Sequence, residues 1–399
     1  MTAKEIHVDV VVVGAGIAGV SAAAVLAASP ERPAVVVLER EDAPARHTTG
    51  RSAAVFTENY GNDVVRALTI ASRSFLERPP GGFADVAILT PRGALTIGDE
   101  HQRHRLDALA ASGRTLVPTI ERLDLPATLA HCPALDATRV AGSVWEPDAR
   151  DIDVDALLQG YLRVLRAAGG RVRTGAALVA AEPVDGGWRA TTAAGDRITA
   201  GWIVDAAGAW GDETAAACGI EPVGLQPMRR TAFLFDPPAG VAPGDLRGWP
   251  LVIDADERYY FKPDSGLLLG SLADETPSSP CDASPEEADV ALALDRIVTV
   301  LPAARQARRV RRAWAGLRTF APDRTPVVGV EPDRQFCWVV GQGGYGIQTA
   351  PAMAAAAASL VLAGRLPDDL VTMGLSTDVL GPGRFRRAPG GAPTRGRDG

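Results

Sequence analysis

The chain has 399 residues, 46% hydrophobic and 22% charged, an ordinary balance for a globular protein long enough to divide into two domains. Its net charge of −7 argues against a nucleic-acid partner, which would need a basic face. Four scattered cysteines (Cys132, Cys218, Cys281, Cys337) without a CxxC pair, and five histidines without an HExxH pattern, offer neither a disulfide framework nor a metal site.

The stretch Val8–Val20, VDVVVVGAGIAGV, predicts a buried strand over Val10–Val13, a turn Gly14-x-Gly16-x-x-Gly19 and a small-residue helix over Ala18–Ala28. Glu39 stands at the end of a second apolar run, in AVVVLER (34–40), 20 residues beyond Gly19. Each part suits an adenine dinucleotide. Gly14 permits the tight turn, Gly16 the approach of a pyrophosphate, Gly19 close helix–strand packing, and the acid the ribose hydroxyls. Val8–Ala28 is apolar enough to mimic a membrane span, but Asp9 and the glycines favour a βαβ start. No integral membrane segment is expected, and the location is read as cytoplasmic.

Further along, the polar segment Ala45–Ser52 precedes a predicted helix over Asp63–Leu76, which stops before Pro79-Pro80. Residues 83–147 read as an insert. Asp153–Ala168 has helical periodicity and ends at Gly169-Gly170, followed by a short strand over Arg171–Arg173. A hairpin-like stretch leads to the strand Trp202–Ala206 and the turn Ala207–Trp210, and residues 223–311 read as mostly antiparallel strands. Strand Phe336–Val340 feeds GQGGYGIQ and an Ala-rich helix, and the tail from Gly381 to Gly399 reads as disordered.

Gly341, Gly343 and Gly346 repeat the GxGxxG spacing, which raises a second, nicotinamide site. No strand ending in an acid follows, because Asp368 and Asp369 lie in a Pro-bounded loop. A better use is a helix N-terminus facing the N1–C2=O edge of a flavin. Pro351 is acceptable in a first helical turn. The pattern favours FAD over NAD.

The chain resembles the D-amino acid oxidase superfamily of FAD enzymes and, within it, the bacterial D-arginine dehydrogenases. The resemblance is carried by HTTGRSAAVFTENYGN (47–62), DIDVDALLQGYLR (151–163), DAAGAW (205–210), GLQPMRRTAFLF (224–235), YYFKPDSGLLLGS (259–271), WAGLRTFAPDRTPVVG (314–329) and GQGGYGIQTA (341–350). It implies an α/β (α+β overall) fold of the glutathione-reductase-2/DAO type, a Rossmann-like FAD-binding domain interleaved with a smaller, mostly antiparallel substrate domain. The expected division is 1–78, 148–222 and 312–372 for FAD, 79–147 and 223–311 for substrate, and 373–399 as a tail.

By the same resemblance Gly14, Gly16, Ile17, Ala18, Gly19, Glu39 and Arg40 bind the ADP part, and His47, Thr48, Thr49, Ser52 and Ala53 lie along the pyrophosphate and flavin. Leu178 holds the adenine through its backbone, Gly208 approaches the phosphates, and Gly344, Tyr345, Gly346, Ile347 and Gln348 face the pyrimidine edge. The attachment cysteine of covalent-flavin relatives has no counterpart in GGYGIQ, and Cys337 sits in the preceding strand, so non-covalent FAD is expected.

A free amino acid needs its carboxylate clamped so that its Cα–H points at flavin N5, and a planar arginine fork suits that task. The candidates are Arg230 and Arg318. Arg229 and Arg230 must point to opposite faces of one strand, and the family pattern selects Arg230. Tyr260 adds a hydroxyl while Tyr259 faces away, and Tyr60 belongs to a segment resembling the family's lid. Val55, Ala94 and Gly344 complete the pocket. D-arginine dehydrogenases carry a glutamate where this chain has Ala94 and a histidine where it has Val55, so a D-amino acid with an uncharged, apolar side chain is expected.

The reaction so implied moves hydride from Cα to FAD, giving an imine that hydrolyses to a 2-oxo acid and ammonia, with a quinone-type carrier or dioxygen as electron acceptor. The alternatives are an oxidase of glycine, sarcosine or another N-substituted amino acid, and the flavin subunit of a multi-protein dehydrogenase.

Overall fold

The computed structural model describes residues 5–306 and 309–386. Two large sheets organise the chain. The first contains the parallel strands Val35–Leu38, Glu5–Val13 and Arg197–Asp205 side by side, continued by Phe336–Val340 beside Ile203–Asp205. Val10–Val13 and Val35–Leu38 are buried throughout, as parallel strands covered on both faces must be. The hairpin Leu178–Val184 and Gly187–Thr192 completes one flank.

Helix Ile17–Ala27 follows the first strand and packs against helix Ala350–Ala363. Both consist largely of alanine and other small residues, which let the two backbones approach closely. At the turn, Gly19 lets the first helix sit directly against the strand end, because a Cβ there would overlap the Gly14 carbonyl oxygen. Gly14 itself has φ +102°, a conformation open mainly to glycine.

The second sheet runs Thr276–Pro277, Gln226–Phe235, Leu267–Ser271, Tyr260–Asp264, Leu251–Asp254, Ala94–Gly98, Gly142–Glu146 and Glu121–Leu123. Its register sorts side chains onto two faces. Phe233, Phe261, Val252 and Leu95 share one, where helix Glu287–Val300 covers them with Leu294, Ile297 and Val298. The opposite face looks toward the first sheet and carries the residues of interest. A small third sheet of Val55–Phe56, Arg150–Ile152 and Leu89–Pro91 ties the two parts together.

Two sequence expectations need correction. Strand Val310–Phe320 pairs along Gln226–Phe235, so it belongs to the second sheet, although a boundary at 312 had assigned it to the dinucleotide part. Its alternation fits either sheet equally well. The tail is also ordered further than expected. Arg384 donates to the carbonyls of Leu380 (2.7 Å), Gly381 (2.9 Å) and Thr325 (2.7 Å) and to Asp323 (2.8 Å), and Arg386 pairs with Glu331. Residues 387–399, the rest of that segment, lie outside the described residues. Among the described residues no helix is long and apolar enough to cross a membrane.

Arg384→Ala leaves these carbonyls and Asp323 without their donor. It is expected to destabilise the protein by about 2 kcal/mol, the scale of hydrogen bonds to a charged group. An unchanged thermal unfolding midpoint would show that this segment contributes nothing.

Candidate active site

A cavity of about 980 Å³ lies between the two sheets and takes walls from both. On the side of the first sheet its lining includes Gly14, Gly16, Ile17, Ala18, Glu39 and Arg40. The Glu39 carboxylate is fixed at the strand end, accepting from Ala15 N–H (2.7 Å) and Glu41 N–H (2.9 Å). Thr49 Oγ1 accepts the Ile17 N–H (3.0 Å) at the start of the first helix. Arg40 stacks over the Trp210 ring at 4.5 Å, and His47 packs against the same ring at 4.8 Å while its Nε2 meets Glu41 (3.0 Å). Thr48 donates to the Leu317 carbonyl (2.6 Å), and Ser52 Oγ accepts from Ala54 N–H (3.0 Å).

Ala53, Leu178 and Gly208 also line this space, and a Cβ at Gly208 would meet nothing within 4 Å. Gly19 lies behind the turn and does not line it. Cys337 is buried in its strand, its thiol near the Trp338 carbonyl, and burial pushes that thiol up to about 12.

The 341–350 loop presents backbone rather than side chains. Gly343, Tyr345, Thr349 and Ala350 donate to Thr319, Gln342, Tyr345 and Ile347, whereas the N–H groups of Gly346, Ile347 and Gln348 find no acceptor among the described residues. Three unpaired donors just before a helix suit an electron-rich ring edge. The side chains here do other work. Tyr345 packs with Val65 and Phe320, outside the cavity lining, and the Gln348 amide is engaged with Thr57 and Thr69. Any cofactor contact by these two is therefore through the backbone.

The second sheet supplies the opposite wall. Its register places Arg318 beside Met228, Gly316 beside Arg230, Ser271 beside Tyr260, Ile253 beside Thr96, and Ala94 beside Glu146, all on the cavity face. Arg318 is 8% exposed. Its Nη2 donates to the Tyr60 hydroxyl (2.8 Å), while its buried Nη1 has no hydrogen-bond partner and lies 3.7 Å from Glu275. Gly344 is required beneath it, because a Cβ there would overlap the guanidinium. Tyr60 packs edge-on against Tyr345 at 5.0 Å.

Arg230 reaches the cavity but is tied elsewhere, with Nε donating to the Asp274 carbonyl (2.6 Å) and Nη2 to Glu275 (3.3 Å). Arg229 points to the other face and pairs with Asp289 (3.0 Å) and Glu286. Tyr260 lines the cavity, while Tyr259 is buried against the helix side. Val55 also lines the cavity, from the third sheet.

Two acidic residues escaped the sequence reading. Glu275 gathers Arg230, Arg318 and Arg324 (2.8 Å to the last) around one carboxylate. Glu146 sits directly across from Ala94 in the neighbouring strand. Glu146 thus places a carboxyl group on the cavity wall opposite Ala94, where the sequence alone showed only the small Ala94 side chain. Only the long-range pairing of the two strands could have revealed this.

The family model described as DAO, FAD dependent oxidoreductase, matches residues 9–360. The chain belongs to this family of FAD-dependent oxidoreductases. It is 27% identical over 384 residues to the tRNA 5-methylaminomethyl-2-thiouridine biosynthesis bifunctional protein MnmC of Polaromonas naphthalenivorans (strain CJ2), covering 90% of this chain and 58% of that protein. The chain thus spans little more than half the length of that relative. Among solved structures, L-proline dehydrogenase from P. horikoshii superposes with TM-score 0.81 at 19% identity, covering 96% of this chain and 98% of the other. Glycine oxidase from Geobacillus kaustophilus gives TM-score 0.78 at 22% identity, covering 89% and 95%. These likenesses establish the DAO-type fold.

The glycine cradle, the fixed Glu39 carboxylate and the unpaired N–H groups at 346–348 fit FAD. Gly19→Ala is expected to yield protein with most of its flavin absorbance lost, judged by the ratio of absorbance at the flavin band to that of protein. Gly344→Ala should keep the flavin but displace Arg318, cutting kcat/KM by about 100-fold, the scale of losing charge-assisted hydrogen bonds. Normal turnover by Gly344→Ala would rule out a role for the Arg318 position.

Proposed function

We propose that this chain catalyses the FAD-dependent oxidative deamination of a free D-amino acid to its 2-oxo acid and ammonia. The observation that carries the reading is Arg318, a buried guanidinium in the wall of the cofactor cavity whose Nη1 lacks a hydrogen-bond acceptor. Burying such a donor is costly unless a ligand completes it, and a carboxylate matches the planar fork. The Tyr60 hydroxyl accepts from Nη2 and keeps its own proton to donate to that carboxylate. Tyr260, on the same sheet face, offers a further hydroxyl.

FAD, when bound, supplies a two-electron acceptor. The chain's own residues then contribute mainly orientation: Arg318 and Tyr60 fix the carboxylate end of the substrate, and the 57–60 loop closes the cavity beside them. Arg230 supports the arrangement through Glu275, which it shares with Arg318. A quinone-type carrier is the proposed acceptor in the second half-reaction, with dioxygen as the alternative.

The D configuration rests on the resemblance of residues 47–62, 224–235 and 314–329 to bacterial D-arginine dehydrogenases. The names of the structural relatives, an L-proline dehydrogenase and a glycine oxidase, agree with an amino-acid substrate more broadly. They also favour a second reading, an oxidase of glycine or an N-substituted amino acid.

Anaerobic mixing of the yellow protein with D- and L-amino acids, glycine and sarcosine separates the readings. Bleaching of the flavin by D-amino acids is expected, and bleaching by glycine or sarcosine alone would replace this reading with the second. Arg318→Ala is expected to raise KM and lower kcat/KM by roughly 100-fold or more, the cost of two charge-assisted hydrogen bonds. Unchanged kinetics would remove Arg318 from the clamp.

A further inference from the structure

Glu146 is a buried carboxyl group in the cavity wall. Strand alternation turns Val144 and Glu146 toward the cavity, while Trp145 points the other way and stacks on His131 at 4.1 Å. The carboxyl meets backbone, with Oε1 accepting the Glu58 N–H (3.1 Å). Glu58 is one of four consecutive residues that are each held from a different element. The Gln348 side chain accepts the Thr57 N–H (3.1 Å) and donates to the Thr57 carbonyl (3.3 Å). The Glu58 carboxylate pairs with Arg73 of helix Asp63–Glu77. The Asn59 amide packs against Gly113 of helix Arg103–Arg114, where a Cβ would come within 2.7 Å of it. The Tyr60 hydroxyl accepts from Arg318 (2.8 Å).

These anchors are not equivalent. Of the side chains that hold the loop from outside, Gln348 is neutral and Arg73 and Arg318 are permanent cations, whereas Glu146 gains and loses charge. Burial pushes the Glu146 carboxyl up to about 7, the Glu58 and Asp148 charges add to the rise, and the Glu58 and Asn59 N–H groups pull it back. The strand opposite brings only Ala94. Asp148, in the turn after Glu146, accepts from Thr119 (2.6 Å), and Arg73 is committed to Glu58 and Glu77. An ionised carboxylate accepts an N–H about twice as strongly as a neutral group, so the loop is held most firmly when Glu146 is charged.

We infer that Glu146 is a positioning residue whose carboxylate anchors the loop backbone at Glu58 and thereby sets the Tyr60 hydroxyl on Arg318. Glu58 and Tyr60 are separated by at most about 7 Å of chain, so slack at the first is passed to the second. This inference rests on the amino-acid reading proposed above, in which Arg318 and Tyr60 hold the substrate carboxylate. It makes substrate capture depend on the charge of Glu146. Capture is tightest with the carboxylate ionised and weakens as pH falls through about 7.

The test is a pH profile of the holoenzyme with the amino acid that bleaches its flavin fastest. In the wild type, kcat/KM is expected to fall about ten-fold as pH drops through this range, mainly through KM, the scale of one hydrogen bond to a charged group. Glu146→Gln keeps an oxygen for the Glu58 N–H but has no charge to lose. It should hold the low-pH value of the wild type throughout, with no inflection near 7. Any other group that titrates there, the substrate amine included, leaves its inflection in both proteins. Tyr60→Phe supplies the second arm. Adding Glu146→Gln to it should lower kcat/KM by less than about two-fold further, because residues that act through one contact are not additive. Absence of the inflection from the wild type, its persistence in Glu146→Gln, or losses that multiply in the double variant would each overturn the inference. Failure of every amino acid to bleach the wild-type flavin would instead refute the underlying amino-acid reading, which keeps the two failures distinct.

Discussion

The Arg318 guanidinium lying across Gly344 is the contact on which the site depends. It brings a strand of the second sheet against the loop that prepares the last long helix of the first. A side chain on residue 344 would push the two apart. The arrangement also strips water from a permanent cation. One face of that cation is satisfied by Tyr60 and another is left bare. On the proposed reading, a carboxylate entering the cavity beside Arg318 would offset this cost.

The cofactor half is governed by the opposite requirement, the absence of bulk. Gly14 and Gly19 touch each other's backbones, the first helix is rich in alanine with Gly19 and Ser21, and its partner Ala350–Ala363 is likewise alanine-rich. Close approach of these helices sets their N-terminal ends beside the strand ends of a parallel sheet, where ligands of open α/β folds bind. Fixing the Glu39 carboxylate with two backbone N–H groups costs it little acceptor capacity, since each oxygen retains a lone pair for a ribose hydroxyl.

Local pattern made much of this legible. The Gly14–Gly19 turn and Glu39 are a short-range signal, and the alternation that separates Arg229 from Arg230 and Tyr259 from Tyr260 follows from strand geometry alone. What stayed hidden depends on pairing between distant segments. Strand Val310–Phe320 has the same alternation whichever sheet it joins, so its place beside Gln226–Phe235 could not be read from it. Glu146 looks like one more charged residue in a strand until Ala94 is seen opposite it. Tyr345 and Gln348 illustrate a different limit. A resemblance carries residue positions, but whether the side chain or the backbone does the work is decided by neighbours such as Thr57, Thr69 and Val65.

Glu275 links these observations to how the site can exist without a ligand. Three arginines near one cavity would repel one another, yet Arg230, Arg318 and Arg324 share this single carboxylate. Its separation from Arg318, 3.7 Å, is too long for a hydrogen bond, whereas Arg324 is held at 2.8 Å. Glu275 therefore offsets the charge of Arg318 without occupying its fork. On the amino-acid reading proposed above, an incoming carboxylate would find a donor whose repulsion from its neighbours is already relieved and whose Nη1 has no hydrogen-bond partner. The surrounding arginines pull the Glu275 carboxyl below its ordinary range against the opposing effect of burial, which keeps the counter-charge in place as pH falls through the carboxylate range. On the proposed reading, Glu275 would preorganise the Arg318 clamp without filling its fork.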